Sequence, residues 1–158
     1  MKWMESNGGP VVLLTESDLT LWTGARGHDY ERACKVEDYV GTMALAEHHV
    51  LVLGDEPFAT TWIQYEYGGV LVRWVHADSE QAVERALASL NAVSFTRTDV
   101  AVVVEGSCWL ADAADAGDGL ANRSLLVRIQ PGTYRVETGM LSPRPDTRLL
   151  LHKLTNRA

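Results

Sequence analysis

Long apolar runs are missing from this sequence of 158 residues. The longest, residues 50–53 and 100–104, are far shorter than the roughly 18 apolar residues that a membrane span needs. The first residues place an acidic and several polar side chains where a signal peptide has its apolar region. We therefore expect a cytoplasmic protein that does not bind a membrane.

Cysteine is scarce, and the two cysteines, Cys34 and Cys108, lie far apart in the chain. They do not form the closely spaced set that is typical of a disulfide scaffold. Two reduced thiols are the simplest interpretation for a cytoplasmic protein, and the sequence leaves a single bridge between them open.

The motifs of common catalytic and metal sites are also missing. The sequence contains no GxSxG elbow, no phosphate-binding glycine loop, no HExxH and no paired CxxC. His48 and His49 precede Asp55 and Glu56 and offer possible metal ligands, but adjacent side chains on a strand point to opposite faces. We expect no metal, no cofactor and no enzymatic activity.

Basic residues are fewer than acidic ones, 14 against 21, and the formal net charge is −7. The imbalance lies in residues 1–78, which hold twelve acids and five bases, whereas residues 79–158 hold nine of each. An acidic half argues against direct contact with nucleic acid, whose phosphates require Lys and Arg. It suits a basic protein partner, although solubility alone is a second explanation for the acids.

Short β-branched and aromatic segments, separated by Gly and Pro turns, predict a mainly β protein of the α+β class. We expect about nine or ten strands in antiparallel sheets, within one domain that spans residues 1–158. The turn at residues 54–57 predicts a hairpin over residues 50–64, and the turn at residues 130–132 predicts another. Apolar residues at helical spacing predict one principal amphipathic helix near residues 79–92.

Residues 111–122 are small, acidic and rich in Gly, which predicts an exposed loop. Four of them have side-chain oxygens that superficially resemble a calcium site: Asp112, Asp115, Asp118 and Asn122. Their spacing lacks the alternating ligands and the terminal Glu of a calcium-binding loop, so a solvated loop is the better interpretation.

Five tryptophans are many for a chain of this length. Trp74 and Trp109 lie among apolar residues, which indicates a position in the core. Trp3 and Trp62 lie next to polar or acidic residues, and core packing is the simpler explanation for them too. Because Trp is enriched at the centres of protein interfaces, these two are also candidates for partner contact.

Several segments, in order along the chain, together resemble the bacterial immunity protein 21 family. They are WMESNGGPVVLL (residues 3–14), DYERAC (29–34), LGDEP (53–57), TTW (60–62), GTYRVE (132–137) and LLLH (149–152). The resemblance extends from near residue 3 to near residue 154. It implies a non-catalytic protein that neutralises a polymorphic toxin made beside it, and it assigns no functional residue.

The acidic character and the resemblance together predict a cognate protein toxin as partner, for example a basic, nuclease-like effector. We expect the partner to contact a set of acidic and aromatic residues: Asp55, Glu56, Trp62, Asp29, Glu31, Glu37, Asp38 and Trp3. Two alternatives stay open. One is a β domain that encloses a small ligand; the other is an unfamiliar enzyme that uses Asp55, Glu56 and the histidines.

Overall fold

The computed structural model of the chain describes residues 1–66, 68–120 and 123–157. Ten described strands form two five-stranded antiparallel sheets, as the sequence predicted for an α+β, mainly β protein. The first sheet contains, in spatial order, β2 (Gly41–Leu45), β3 (His48–Leu53), β1 (Val11–Thr15), β7 (Cys108–Asp112) and β8 (Leu125–Val127). The second contains β4 (Thr60–Tyr65), β5 (Gly68–His76), β10 (Thr147–Asn156), β9 (Gly132–Arg144) and β6 (Thr96–Val104).

The helices are short and lie outside the sheets. They are α1 (Glu16–Leu19), α2 (Asp29–Ala33) and α3 (Glu80–Leu87), with 3-10 turns at Gly24–Arg26, Leu90–Ala92 and Gly117–Gly119. The predicted helix near residues 79–92 is thus present as α3 followed by a 3-10 turn. Ser79 begins it, because its hydroxyl accepts a hydrogen bond from the Ala82 backbone N–H at 3.1 Å.

The two sheets enclose a common apolar core. Alternate residues of a strand point to opposite faces, so Val11 and Leu13 of β1 face this core while Val12 and Leu14 face outward. The outward residues of the first sheet are covered by α1, α2 and the segment around Trp22. The outer face of the second sheet is covered in part by α3 and its buried Val83.

The hairpin predicted over residues 50–64 is wrong. β3 and β4 belong to different sheets, and residues 54–57 link one sheet to the other. The hairpin predicted around residues 130–132 is wrong for the same reason, since β8 and β9 are also in different sheets. Turn residues indicate where a chain changes direction, whereas the partner of each strand is set by long-range packing.

The exposed loop predicted at residues 111–122 has exposed residues at Asp118 and Gly119, but other described residues of the segment are buried. Residues 111–112 end β7, and Ala111, Asp112 and Ala113 are buried. Gly117 is buried so closely against the chain that a Cβ there would lie 1.9 Å from the Leu19 carbonyl oxygen. Small residues here permit close packing rather than mobility. Residues 121 and 122 of the predicted loop lie outside the described residues.

Both cysteines are free in the structure. Cys34 is exposed at the end of α2, whereas Cys108 is buried in the core between the sheets, where burial raises the pKa of its thiol to about 12. None of the described helices is long and apolar enough to cross a membrane.

Candidate partner-binding site

Three of the predicted acids line one groove, which has a volume of about 350 Å³. Glu37 lies on one side, and Asp55 and Glu56 lie on the turn that follows β3. The remaining lining residues, besides Gly54, come from residues 8–10 and from residues 30–36: Gly8, Gly9, Pro10, Tyr30, Cys34 and Val36. We call this feature the acidic groove.

Gly54 brings the two acidic segments together. A Cβ at this position would lie 2.7 Å from the carbonyl oxygens of both Val36 and Asp38, so only glycine allows the turn to pack against residues 36–38. The Gly54 backbone N–H also donates to the Tyr39 carbonyl at 3.1 Å. The acids at residues 37–38 and 55–56 therefore share one surface, although 16 or more residues separate them in the sequence.

Arg73 holds the backbone of this turn from the inside. Its guanidinium, on β5, donates to the carbonyl of Tyr39 at 2.8 Å and to those of Gly54 and Glu56 at 3.0 and 2.6 Å. Arg73 is fully buried, and charge-assisted bonds of this kind are stronger than those between neutral groups. The turn is thereby fixed with its carbonyls inward and its carboxylates toward solvent.

The surroundings of Arg73 keep it charged. Burial lowers its pKa to about 10, while Tyr39, Asp55 and Glu56 oppose that shift through their charges. The Phe58 ring centroid lies 5.3 Å from the guanidinium carbon, which adds a cation–π contact. A pKa of about 10 leaves Arg73 protonated at neutral pH, so the support of the turn persists under physiological conditions.

The carboxylates around the groove form no ion pair with the residues that the structure describes, although the charges of Asp55 and Glu56 act on Arg73 from a greater distance. Glu37, Asp38, Asp55 and Glu56 are all exposed, and none forms an ion pair within 4 Å with another described residue. Some acids elsewhere are paired, as Asp115 is with Arg123 at 3.0 Å, whereas others, such as Glu47 and Glu84, form no ion pair with a described residue either. The four free carboxylates are therefore available to a basic partner.

Tyr30 and Cys34 contribute a polar aromatic and a thiol to the groove, and the sequence analysis did not place them there. They are four residues apart at α2, so both lie on one face of the helix. The spacing alone does not indicate which part of the protein that face contacts. Their side-chain hydrogen bond is the largest cause that raises the pKa of Tyr30, followed by the charge of Cys34 and burial.

The two predicted acids of α2 differ in availability. Asp29 is buried, and its carboxylate accepts bonds from the backbone N–H and the hydroxyl of Thr23, both at 2.8 Å. It also pairs with Arg32 at 3.3 Å. Glu31 is exposed and lies 3.6 Å from a ring nitrogen of His28. Asp29 thus stabilises the local fold, while Glu31 faces solvent.

Neither predicted tryptophan lines the acidic groove. Trp62 is half-buried against the core between the sheets. Trp3 packs beside α3, where its ring centroid lies 5.3 Å from that of Trp74 and its Nε1 donates to Glu80 at 3.3 Å. The structure therefore groups Glu37, Asp55 and Glu56 and leaves both tryptophans away from them.

The histidines do not form a metal centre with the acids of the turn. His48 bonds instead to the buried Asp18, which also accepts a bond from the Thr15 backbone N–H at 2.8 Å. Within the described ranges, no group of three or more His, Cys, Asp or Glu side chains is arranged to hold a metal ion.

A family model described as immunity protein 21 matches residues 2–147. The chain belongs to the immunity protein 21 family. The resemblance seen in the sequence is thereby confirmed over residues 2–147, a range that includes all the residues that line the acidic groove but not the quoted segment at residues 149–152. None of the curated proteins and none of the solved structures shows a detectable match. The protein is thus an immunity protein by family, and its partner must be inferred from its own surface.

Proposed function

We propose that this immunity protein neutralises a cognate protein toxin by binding it through the acidic groove, without catalysing a reaction. The observation that supports this best is the cluster of four exposed carboxylates at Glu37, Asp38, Asp55 and Glu56, none of which forms an ion pair with a described residue. The fully buried Arg73 fixes the turn that presents two of them. A surface that is already ordered loses little conformational entropy when it binds.

The charge of this region defines the chemistry of the partner. Ten of the twelve acids in residues 1–78 are exposed, so most of the negative charge of this half reaches solvent. Such a surface accelerates the approach of a positively charged protein and excludes like-charged ones. Proteins that act on nucleic acid present Lys and Arg to phosphates. We infer that the toxin is a basic, nuclease-like enzyme and that the carboxylates replace phosphates in its cleft.

The partner is tested first by expression with the neighbouring toxin gene. Tagged protein should co-purify with that gene's product, and its expression should restore growth to cells that make the toxin. Failure of both assays with a toxin that is active alone would exclude that toxin as the partner.

The surface is tested by charge reversal. The double variant Glu37→Lys/Glu56→Lys should weaken toxin binding at least about tenfold, because both side chains line the groove. Asp55 is left unchanged, since its φ of 68° lies in the left-handed region that Asp tolerates better than Lys. The matched control Glu84→Lys/Asp99→Lys makes the same change in net charge at exposed positions of α3 and β6. Equal weakening by both variants would place the interface elsewhere.

A further inference from the structure

A second groove lies on the outer face of the second sheet, beside the end of α3. Its volume is about 410 Å³, and it shares no lining residue with the acidic groove. One wall is apolar and consists of Leu90, Val93 and Phe95. Tyr65 and Glu66 also line the groove, and β10 contributes Lys153 and Thr155 to the floor.

Strand register shows which way the floor residues point. Lys153 pairs with Val70, and Thr155 pairs with Gly68. Directly paired residues of antiparallel strands project from the same face, and Val70 belongs to the apolar cluster under α3. Lys153 and Thr155 therefore project to the same outer face. Gly68 is required where it stands, because a Cβ there would lie 2.0 Å from the Leu154 carbonyl oxygen.

Lys153 forms no ion pair with a described residue, although Glu137 is its direct neighbour on β9. It is half-buried, and its Nζ lies 5.4 Å from the centroid of the Phe95 ring. No carboxylate of the described residues lies within 4 Å of that nitrogen. The aromatic ring thus holds a positive charge at the floor of the groove, below the apolar wall.

Two polar atoms beside Lys153 also lack partners. The Thr155 hydroxyl and the Nε of Arg135 are buried, and neither makes a hydrogen bond to a described residue. Arg135 on β9 pairs with Thr155, so their side chains lie on the same face. Buried polar groups are nearly always hydrogen-bonded in native proteins, so the Thr155 hydroxyl, on a residue that lines the groove, needs an acceptor from water or from a bound ligand.

We propose that this groove binds a small monocarboxylate with an aromatic or branched aliphatic body. Its carboxylate pairs with the Lys153 ammonium and accepts a hydrogen bond from the Thr155 hydroxyl, while its body packs against Leu90, Val93 and Phe95. The volume lies within the range of small-molecule sites. Glu66 on the wall and Glu137, which pairs with Lys153, disfavour a polyanion.

The ligand chemistry is tested with 4-phenylbutyrate and its neutral analogue 4-phenylbutyramide. In titrations followed by amide chemical shifts, we expect the carboxylate to perturb residues around Lys153, Thr155 and Gly68 and to bind at least about tenfold more tightly than the amide. Equal affinity of the two compounds, or shifts confined to other residues, would overturn the proposal.

Two variants separate binding from folding. Thr155→Val removes an unpaired hydroxyl at nearly constant volume, so the thermal midpoint should stay the same or rise while carboxylate affinity falls several-fold. Lys153→Met keeps the apolar stem over Phe95 but removes the charge, and it should abolish the preference for the carboxylate. The control is Lys35→Met, which removes an exposed charge outside this groove. Unchanged carboxylate affinity in both groove variants would contradict the proposed contacts.

Discussion

Two acid-rich segments of this protein look alike in sequence and differ in the structure. The turn at residues 54–57 presents Asp55 and Glu56 to solvent, with neither paired to a described residue within 4 Å. In the segment at residues 111–120, Asp112 is buried and Asp115 and Asp118 are paired with arginines. The acids of the second segment bond other groups of the same protein, although Asp118 does so at the surface, whereas those of the turn are available to a partner.

The two segments differ in the groups that hydrogen-bond to their backbones. Arg73 supplies the donors that the carbonyls of the turn need, so its carboxylates are not required for local structure. In the second segment, the Asp112 carboxylate itself accepts bonds from the backbone N–H groups of Asn7 and Ala114, at 2.8 and 2.9 Å. Acidic composition therefore indicates a binding surface only where the carboxylates do not hydrogen-bond to the backbone of their own protein.

The largest loss of stability should follow from removal of Arg73, which bonds the backbone of the turn. Arg73→Met leaves three carbonyls without their buried donor, and we expect a loss of about 3–5 kcal/mol in the free energy of unfolding. Chemical denaturation measures this loss. Arg128→Met, at an exposed position, is the control and should change stability by less than about 0.5 kcal/mol. A similar small change for Arg73→Met would show that the turn does not depend on it.

A smaller loss should follow from removal of the structural acid in the other segment. Asp112→Ala deletes the acceptor of two backbone N–H groups in a buried position, which should cost about 2–3 kcal/mol of stability. Denaturation with urea gives the value. If the urea midpoint of unfolding did not change, Asp112 would not stabilise the fold, and the two segments would not differ in the way described.

Acid should weaken the fold near Arg73 through His152. Burial, and then the charge of Arg73, lower the pKa of His152 to about 3 from its usual 6.5, so the unfolded chain binds the proton first as pH falls. The contribution of neutral His152 to stability is complete above pH 6.5 and decreases below it, by about 2 kcal/mol at pH 5. His152→Leu should flatten the stability profile between pH 7 and 5. His76→Gln, at an exposed position, should leave the profile as it is.

The smallest effect on stability is expected at the turn itself. Asp55→Asn/Glu56→Gln removes both charges but keeps their shape, and the free energy of unfolding should change by less than about 0.5 kcal/mol. Toxin affinity should nevertheless fall. A large loss of stability in this variant would mean that the carboxylates hold the fold and are not free.

The sequence predicted the class of fold and about the right number of strands because alternation and turn residues are local signals. It could not assign β3 and β4 to different sheets, since that depends on contacts such as those of Arg73 with residues 39, 54 and 56. In the sequence, nothing distinguishes Arg73 from the other four bases of residues 1–78. Its role is visible only when its burial is known.

The sequence named three of the residues that line the acidic groove, and no observation yet tests whether they form a binding site. Glu37, Asp55 and Glu56 do lie together, because Gly54 packs against the backbone at residues 36 and 38. Whether they bind the toxin is still a prediction. The sequence had no means to separate Asp29, whose carboxylate bonds Thr23, from its exposed neighbour Glu31. The composition of residues 111–122 was misleading, since alanine and glycine are typical both of mobile loops and of closely packed segments.

The central claim is that free carboxylates at the acidic groove attract a basic toxin, and the dependence of its association rate on salt tests this most directly. For the native protein, the rate should fall at least about tenfold between 50 and 500 mM NaCl, because ions screen attraction between exposed charges. The Glu37→Lys/Glu56→Lys variant should associate more slowly and show a clearly weaker dependence on salt. An association rate of the native protein that does not change with salt would contradict the account.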